Sequence, residues 1–193
     1  LFQTSVGSVS FRKQYVSEAI ATFDMDSVVD LGCGTASTVD LLPKGVFYLG
    51  IDMSEKYLEK AKSRVLNRKS LLINSDIASS NWIESAFSMK KTLGTALGIY
   101  HHIDDDQLKK TIANLAKFLN PGSQIVSLDP VIDNQTTKLA RWFAQNDRGK
   151  YVRDPEEYEY LYKEFGFNVR IKILRNAFRI PYDLLLINAT KEG

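Results

Sequence analysis

The chain is 193 residues long, with 25 Lys and Arg against 23 Asp and Glu, a formal net charge of +2 at pH 7. That length suits one domain, residues 1–193, able to bury roughly 70% of its unfolded surface without disulfides or metals. A composition 44% hydrophobic, 11% aromatic and 25% charged excludes a disordered or low-complexity chain, and the charge alone implies no nucleic-acid or membrane partner. Cys33 is the single cysteine, which rules out an intrachain disulfide framework and a cysteine zinc cluster and suits a reducing compartment. No stretch approaches the roughly 18 apolar residues of a membrane helix. Leu1 to Ser10 lacks the layout of a secretory signal, so a cytoplasmic location is expected.

Val9 to Phe23 reads as a helix, with Phe11, Tyr15, Ala19 and Ile20 on one face. Ser27 to Leu31 (SVVDL) is a short apolar strand running into Gly32-Cys33-Gly34, and a helix is expected from there to about Leu42, stopped near Pro43 and Gly45. Val46 to Met53 is the second strand. Ser54 then caps a helix whose apolar face is Leu58, Ala61 and Val65. Ser70 to Asn74 is the third strand and Thr92 to Tyr100 the fourth, with Gly94 and Gly98 as weak points. Asp105 to Leu119 is a helix with Leu108, Ile112, Leu115 and Leu119 one above another, and Asp104 with Gln107 resembles a capping box. Asn120-Pro121-Gly122 is a turn, and Gln124 to Leu128 is the fifth strand.

Residues 131–153 lose the rhythm and read as an inserted lid, a dimer contact or both. They carry bases among aromatics: Arg141-Trp142-Phe143, then Asp147-Arg148-Gly149-Lys150-Tyr151-Val152-Arg153. Asp154-Pro155-Glu156-Glu157 starts a helix that Gly166 ends. Asn168 to Leu174 alternates Val169, Ile171 and Ile173 inward with Arg170 and Lys172 outward, as an edge strand does. Arg179-Ile180-Pro181-Tyr182 precedes the last strand, Asp183 to Ile187, and Tyr182 could face the pocket. The whole is α/β: a doubly wound, mostly parallel seven-stranded sheet with an antiparallel C-terminal strand pair and helices on both faces.

The chemistry gathers at Val28-Val29-Asp30-Leu31-Gly32-Cys33-Gly34-Thr35-Ala36-Ser37. A strand that ends in a glycine turn lets the backbone approach a ligand and aims N–H groups at it. Asp30 lies just before the glycines. Asp52 ends the next strand, where a carboxylate can accept both hydroxyls of a ribose. Asp76 follows the third strand. Each has a plainer role: Asp30 or Asp52 as a helix cap, Asp76 as the start of a turn.

In these residues the sequence resembles the class I S-adenosylmethionine-dependent methyltransferases over most of residues 9–130. DLGCGTAS is similar to that family's first motif, with Ala36 where the third glycine is common. The resemblance implies that Asp30, Gly32, Cys33, Gly34 and Leu97 surround the cofactor S-adenosyl-L-methionine. It also implies that Asp52 holds the ribose, Met53 packs on adenine, and Asp76 with Ile77 reads the adenine edge. The product would be S-adenosyl-L-homocysteine. Cys33 is expected as a small packed thiol rather than a nucleophile. Ala96 to Ile103 resembles the strand-four segment that many small-molecule members end with two histidines.

His101, Tyr100 and Tyr151 are the expected acceptor-side catalytic residues, with His101 as base or hydrogen-bond donor. Adjacent histidines point apart, so joint metal chelation is not expected. The acid run Asp104-Asp105-Asp106 is what a helix start favours, and no metal is assigned. The basic–aromatic stretches resemble a bacterial subgroup tied to surface-glycan genes, which implies a small-molecule or glycan acceptor. Three alternatives stay open: a nicotinamide dehydrogenase, a nucleic-acid methyltransferase and a non-catalytic cofactor-binding module; whether the chain forms a homodimer is left open beside them. The nucleic-acid reading lacks an Asn/Asp-Pro-Pro-aromatic motif and a Pro-Cys nucleophile.

Overall fold

The computed structural model describes residues 8–86, 90–146, 149–178 and 180–193, with side chains from Gln14 onward. Asp147, Arg148, Arg179 and the side chain of Phe11, all named above, lie outside the described residues. Helix α1 (Ser8–Thr22) precedes β1 (Ser27–Leu31), and a 3-10 turn (Ser37–Leu41) leads to β2 (Phe47–Asp52). Then come α2 (Glu55–Val65), β3 (Ser70–Asn74), the one-turn α3 (Asn81–Glu84) and β4 (Thr92–Leu97). A second 3-10 turn (Tyr100–His102) precedes α4 (Asp105–Phe118) and β5 (Gln124–Pro130). The chain ends with α5 (Lys138–Gln145), α6 (Pro155–Glu164), β6 (Phe167–Leu174) and β7 (Leu184–Lys191).

The strands form one seven-stranded sheet in the order β3-β2-β1-β4-β5-β7-β6, parallel except for β7, which runs antiparallel to both β5 and β6. Period-two alternation divides its side chains between two cores. Val29, Leu31, Leu49 and Ile51 face one side, where Leu108, Ile112 and Leu115 of α4 and Tyr158 and Tyr162 of α6 cover them. Val28, Tyr48 and Leu93 face the other, under Leu58, Ala61 and Val65 of α2. Every residue of β1 is buried, as a central parallel strand covered on both faces must be. The capping box of α4 forms as the sequence implies, with Asp104 accepting the Gln107 amide and the Gln107 side chain accepting the Asp104 amide.

Five expectations change. The helix after the glycines is only the 3-10 turn Ser37–Leu41, because Ala36 sits at φ 57° and directs the chain away from a continuing α-helix, and Pro43 follows soon after. Strand β4 stops at Leu97 rather than Tyr100, where Gly98 takes a φ of 71°. Strand β7 runs on to Lys191 because the polar Asn188 and Thr190 pair with Arg170 and Asn168 of the edge strand. Residues 131–153 contain α5, whose buried stripe is only Ala140 and Ala144. Tyr182, expected to reach the pocket, is 5% exposed and stacks on Phe178.

Four tyrosines are fully buried: Tyr48, Tyr100, Tyr158 and Tyr162. Burial pushes the Tyr162 phenol up to about 12 and raises the other three above their ordinary value as well. A phenol with a raised folded pKa keeps its proton longer in the native state than in the unfolded one. Its contribution is complete below about pH 10 and is lost as pH climbs toward the folded value, by about 1.4 kcal/mol per pH unit per phenol. The unfolding midpoint in urea should therefore hold steady up to about pH 10 and fall above it, and Tyr162→Phe should make that fall shallower.

Candidate active site

The strand order reverses between β1 and β4, and a crevice opens outside the carboxyl ends of the strands at such a point. A cleft of about 230 Å³ lies there, lined by Gly32, Asp52, Met53, Asp76, Ile77, Ile99, His102, Ile103 and Gln107. Its wall on the β1 side is the glycine loop. Gly32, Gly34 and Ala36 sit at φ 64°, 54° and 57°, so three residues of five occupy the left-handed region. Gly32 has a second reason to lack a side chain, since a Cβ there would lie 2.7 Å from Cγ1 of Ile99. Ala36 is the costlier position, at roughly 1–2 kcal/mol for an L-residue held left-handed. It is offset by two turn bonds: its amide donates to the Cys33 carbonyl at 2.8 Å, and the Val39 amide donates to the Ala36 carbonyl.

Asp52 ties this loop to the next strand. One carboxylate oxygen accepts the Gly34 amide at 2.8 Å and the other accepts the Ser54 amide at 2.8 Å. The side chain is half-buried and lines the cleft, so its remaining lone pairs face the crevice. Met53 stands at the rim, 69% exposed. Asp76 accepts the Ala78 amide at 2.9 Å, as a turn-starting residue does, and it also lines the cleft. Ile77 is buried beside it. The 76–79 turn is held from below by Asn114 of α4, whose Nδ2 lies 3.0–3.2 Å from the carbonyls of Ile77, Ala78 and Ser79. Asn114 and Thr111 are the polar members of the buried face of α4.

Four expected cofactor residues stand outside the lining: Gly34, whose amide is held by Asp52, and Asp30, Cys33 and Leu97. Asp30 is 3% exposed and lies beneath the loop, where one oxygen accepts from Tyr48 and the other from Thr95, each at 2.7 Å. Burial pushes its carboxyl up, against the opposing pull of those two hydroxyls. It therefore joins β1 to both neighbouring strands and supports the loop from within. Cys33 packs beside Gly50, and burial drives its thiol far above the range in which it would be a nucleophile. Leu97, at the end of β4, packs into the second core. The lining residues that sequence reasoning missed are Ile99, Ile103 and Gln107, together with His102 in place of its neighbour. They follow β4, and only the sheet order puts that segment opposite β2 and β3.

The acceptor-side expectations divide. Tyr100 is fully buried, with its hydroxyl 2.8 Å from that of Tyr162, so the expected pocket role is replaced by core packing. His101 is 5% exposed, and its Nδ1 lies 2.7 Å from Oδ1 of Asp129. His102 lines the cleft. The two rings do not point apart as expected: they lie in contact, with centroids 4.0 Å apart. Tyr151 is 40% exposed, and its amide donates to the His101 carbonyl at 3.1 Å. Arg153 clamps the same strap, donating to the carbonyls of Tyr100, Tyr151 and Ile103 and to the Asp105 carboxylate. No group of three His, Cys, Asp or Glu placed to hold a metal occurs among the described residues.

Comparison with known proteins accords with this geometry. Residues 28–122 match the family of methyltransferase domains. The fold is the Rossmann-like one of the methyltransferases. It is 29% identical to an uncharacterized methyltransferase of Geobacillus sp. (strain WCH70) over 165 residues, 78% of this chain and 73% of that protein. Its fold is similar to a SAM-dependent methyltransferase from Archaeoglobus fulgidus, with a TM-score of 0.75 at 17% identity, covering 99% of this chain and 98% of that one. A phosphoethanolamine N-methyltransferase 2 of Haemonchus contortus, solved with phosphomonomethylethanolamine and S-adenosylhomocysteine, gives a TM-score of 0.70 at 14% identity over 94% of this chain and 52% of that one.

Gly32→Ala should cost the protein about 1–3 kcal/mol in chemical denaturation, from backbone strain and the Ile99 clash together. Adding Ile99→Ala should restore none of the backbone part, leaving the double variant less stable than Ile99→Ala alone.

Proposed function

We propose that the protein binds S-adenosyl-L-methionine in the 230 Å³ cleft and transfers its methyl group to a small-molecule or glycan acceptor. The observation that carries this reading is the charge of the cleft. Asp52 and Asp76 line it, and none of its described lining residues is a lysine or arginine. Such a lining suits a ligand with hydroxyl and amino donors and a positive centre. It does not suit a pyrophosphate. The glycine loop reinforces the point, because the Gly34 amide is already bonded to Asp52 and a 3-10 turn of five residues follows where a dinucleotide fold would present a helix N-terminus. The dehydrogenase alternative loses its phosphate site on both counts.

The residues present fit the cofactor. Asp52 accepts ribose hydroxyls, Asp76 and Ile77 meet the base edge, Met53 covers the base from the rim, and Gly32 lets the ligand lie against the backbone. Asp30 and Cys33 act one layer down by holding the loop. Bound S-adenosylmethionine supplies a methyl on an already activated sulfonium. The protein's task is then alignment, which can be worth roughly 7–11 kcal/mol, and removal of a proton from a hydroxyl acceptor, worth roughly 10²–10⁴-fold. We assign the proton to His101 and place Tyr151 and the 131–153 segment around the acceptor as its lid. No helix of the described residues is long and apolar enough to cross a membrane.

Calorimetry with S-adenosylhomocysteine tests the site. Asp52→Ala should weaken binding at least about tenfold, since a charged hydrogen-bond acceptor is lost. Unchanged affinity would remove the assignment. His101→Ala should lower transfer of labelled methyl into cell-extract components more than it lowers cofactor affinity, and wild-type transfer would return His101 to a structural role.

A further inference from the structure

We infer that Asp129 is a positioning residue for His101, fixing the imidazole with its proton on Nδ1 so that Nε2 is the nitrogen that accepts the acceptor's proton. The inference rests on the reading of His101 as the acceptor-side base. Asp129 is the penultimate residue of β5 and is 2% exposed. Its Oδ1 accepts the His101 amide at 3.1 Å and lies 2.7 Å from Nδ1 of the same residue. Its Oδ2 has no hydrogen-bond partner among the described residues. Both partners of this buried carboxylate therefore belong to one histidine.

A carboxylate in such a place is costly to bury, and the arrangement makes His101 the group that compensates it. Because Oδ1 is already the acceptor of a main-chain N–H, the ring nitrogen facing it acts as donor. That puts the ring proton on Nδ1 and leaves Nε2 with its lone pair. When an acceptor hydroxyl gives up its proton, the O–H bond breaks, the oxygen keeps the electron pair, and the proton moves to Nε2. The imidazolium that results has the Asp129 carboxylate at hydrogen-bond distance from its other nitrogen.

The surroundings keep the ring from turning. His102 lies against one side with centroids 4.0 Å apart, and Gly149 lies so close that a Cβ there would be 1.8 Å from Cδ2 of His101. The Tyr151 amide holds the His101 carbonyl. A purely structural reading would have Asp129 serve only the His101 amide and so brace the 100–102 turn. That reading makes no demand on the ring's tautomer.

The test uses histidine labelled at both ring nitrogens. The chain has only two histidines, so long-range proton–nitrogen correlation spectra resolve both rings. The wild type should show His101 as the Nδ1–H tautomer. In Asp129→Ala the Nε2–H form should become the major one, with His102 unmoved and S-adenosylhomocysteine affinity within about twofold of wild type. A wild-type His101 in the Nε2–H form, or an unmoved tautomer in folded Asp129→Ala, overturns the proposal. Should Asp129→Ala not fold, the wild-type spectrum and the conservative Asp129→Asn decide it in the same way. Labelled-methyl transfer separates the two readings. A loss of about tenfold or more in Asp129→Asn, in step with His101→Gln and at unchanged cofactor affinity, supports positioning. Full transfer by Asp129→Asn beside loss in His101→Gln overturns the role of Asp129 alone, and full transfer by His101→Gln overturns the base reading beneath it.

Discussion

Where β1 leaves the sheet, three of five residues take a left-handed backbone, and that loop persists because Asp52 accepts the Gly34 amide on one oxygen and the Ser54 amide on the other. The bond couples the loop after β1 to the helix start after β2. It also occupies the Gly34 amide, so the same contact that builds the crevice removes one donor from it. Asp30 secures the arrangement from below by joining Tyr48 of β2 and Thr95 of β4. Two carboxylates thus do unlike work: a dry one ties strands, and a half-wet one ties loops and lines the cleft.

The surroundings of His101 depend on a second buried carboxylate and a strap. Asp129 reaches across from β5 to His101, while residues 149–153 come back over the same histidine and are clamped by Arg153. Arg153 is 6% exposed although its partner Asp105 is almost fully exposed, so most of its hydrogen bonding goes to backbone carbonyls. This is how a stretch without regular periodicity becomes a defined wall: its position comes from donors aimed at carbonyls, not from an apolar face.

The sequence showed most where one interaction is local. The capping box of α4, the Ser54 cap, the Asp154-Pro155 helix start and the alternation of β6 all involve residues a few positions apart, and all form as read. It misled where a local pattern had two outcomes. Glycine followed by a possible helix became a 3-10 turn because Ala36 took a positive φ, and α5 went unread because two alanines make a faint stripe. Tyr100 could have faced either way along its turn, and a phenol partner on α6 decided for the core.

By itself the sequence determined the class of fold, the glycine loop and its carboxylates, since strand period, turn chemistry and helix caps are set by neighbours in the chain. The tertiary structure alone decided which histidine lines the cleft, which is locked to Asp129, and that Ile99, Ile103 and Gln107 close the wall opposite Asp52 and Asp76. The reason is the sheet order: β4 lies beside β1 although β2 and β3 come between them in the chain, and nothing local records which side chains then meet across that crossover.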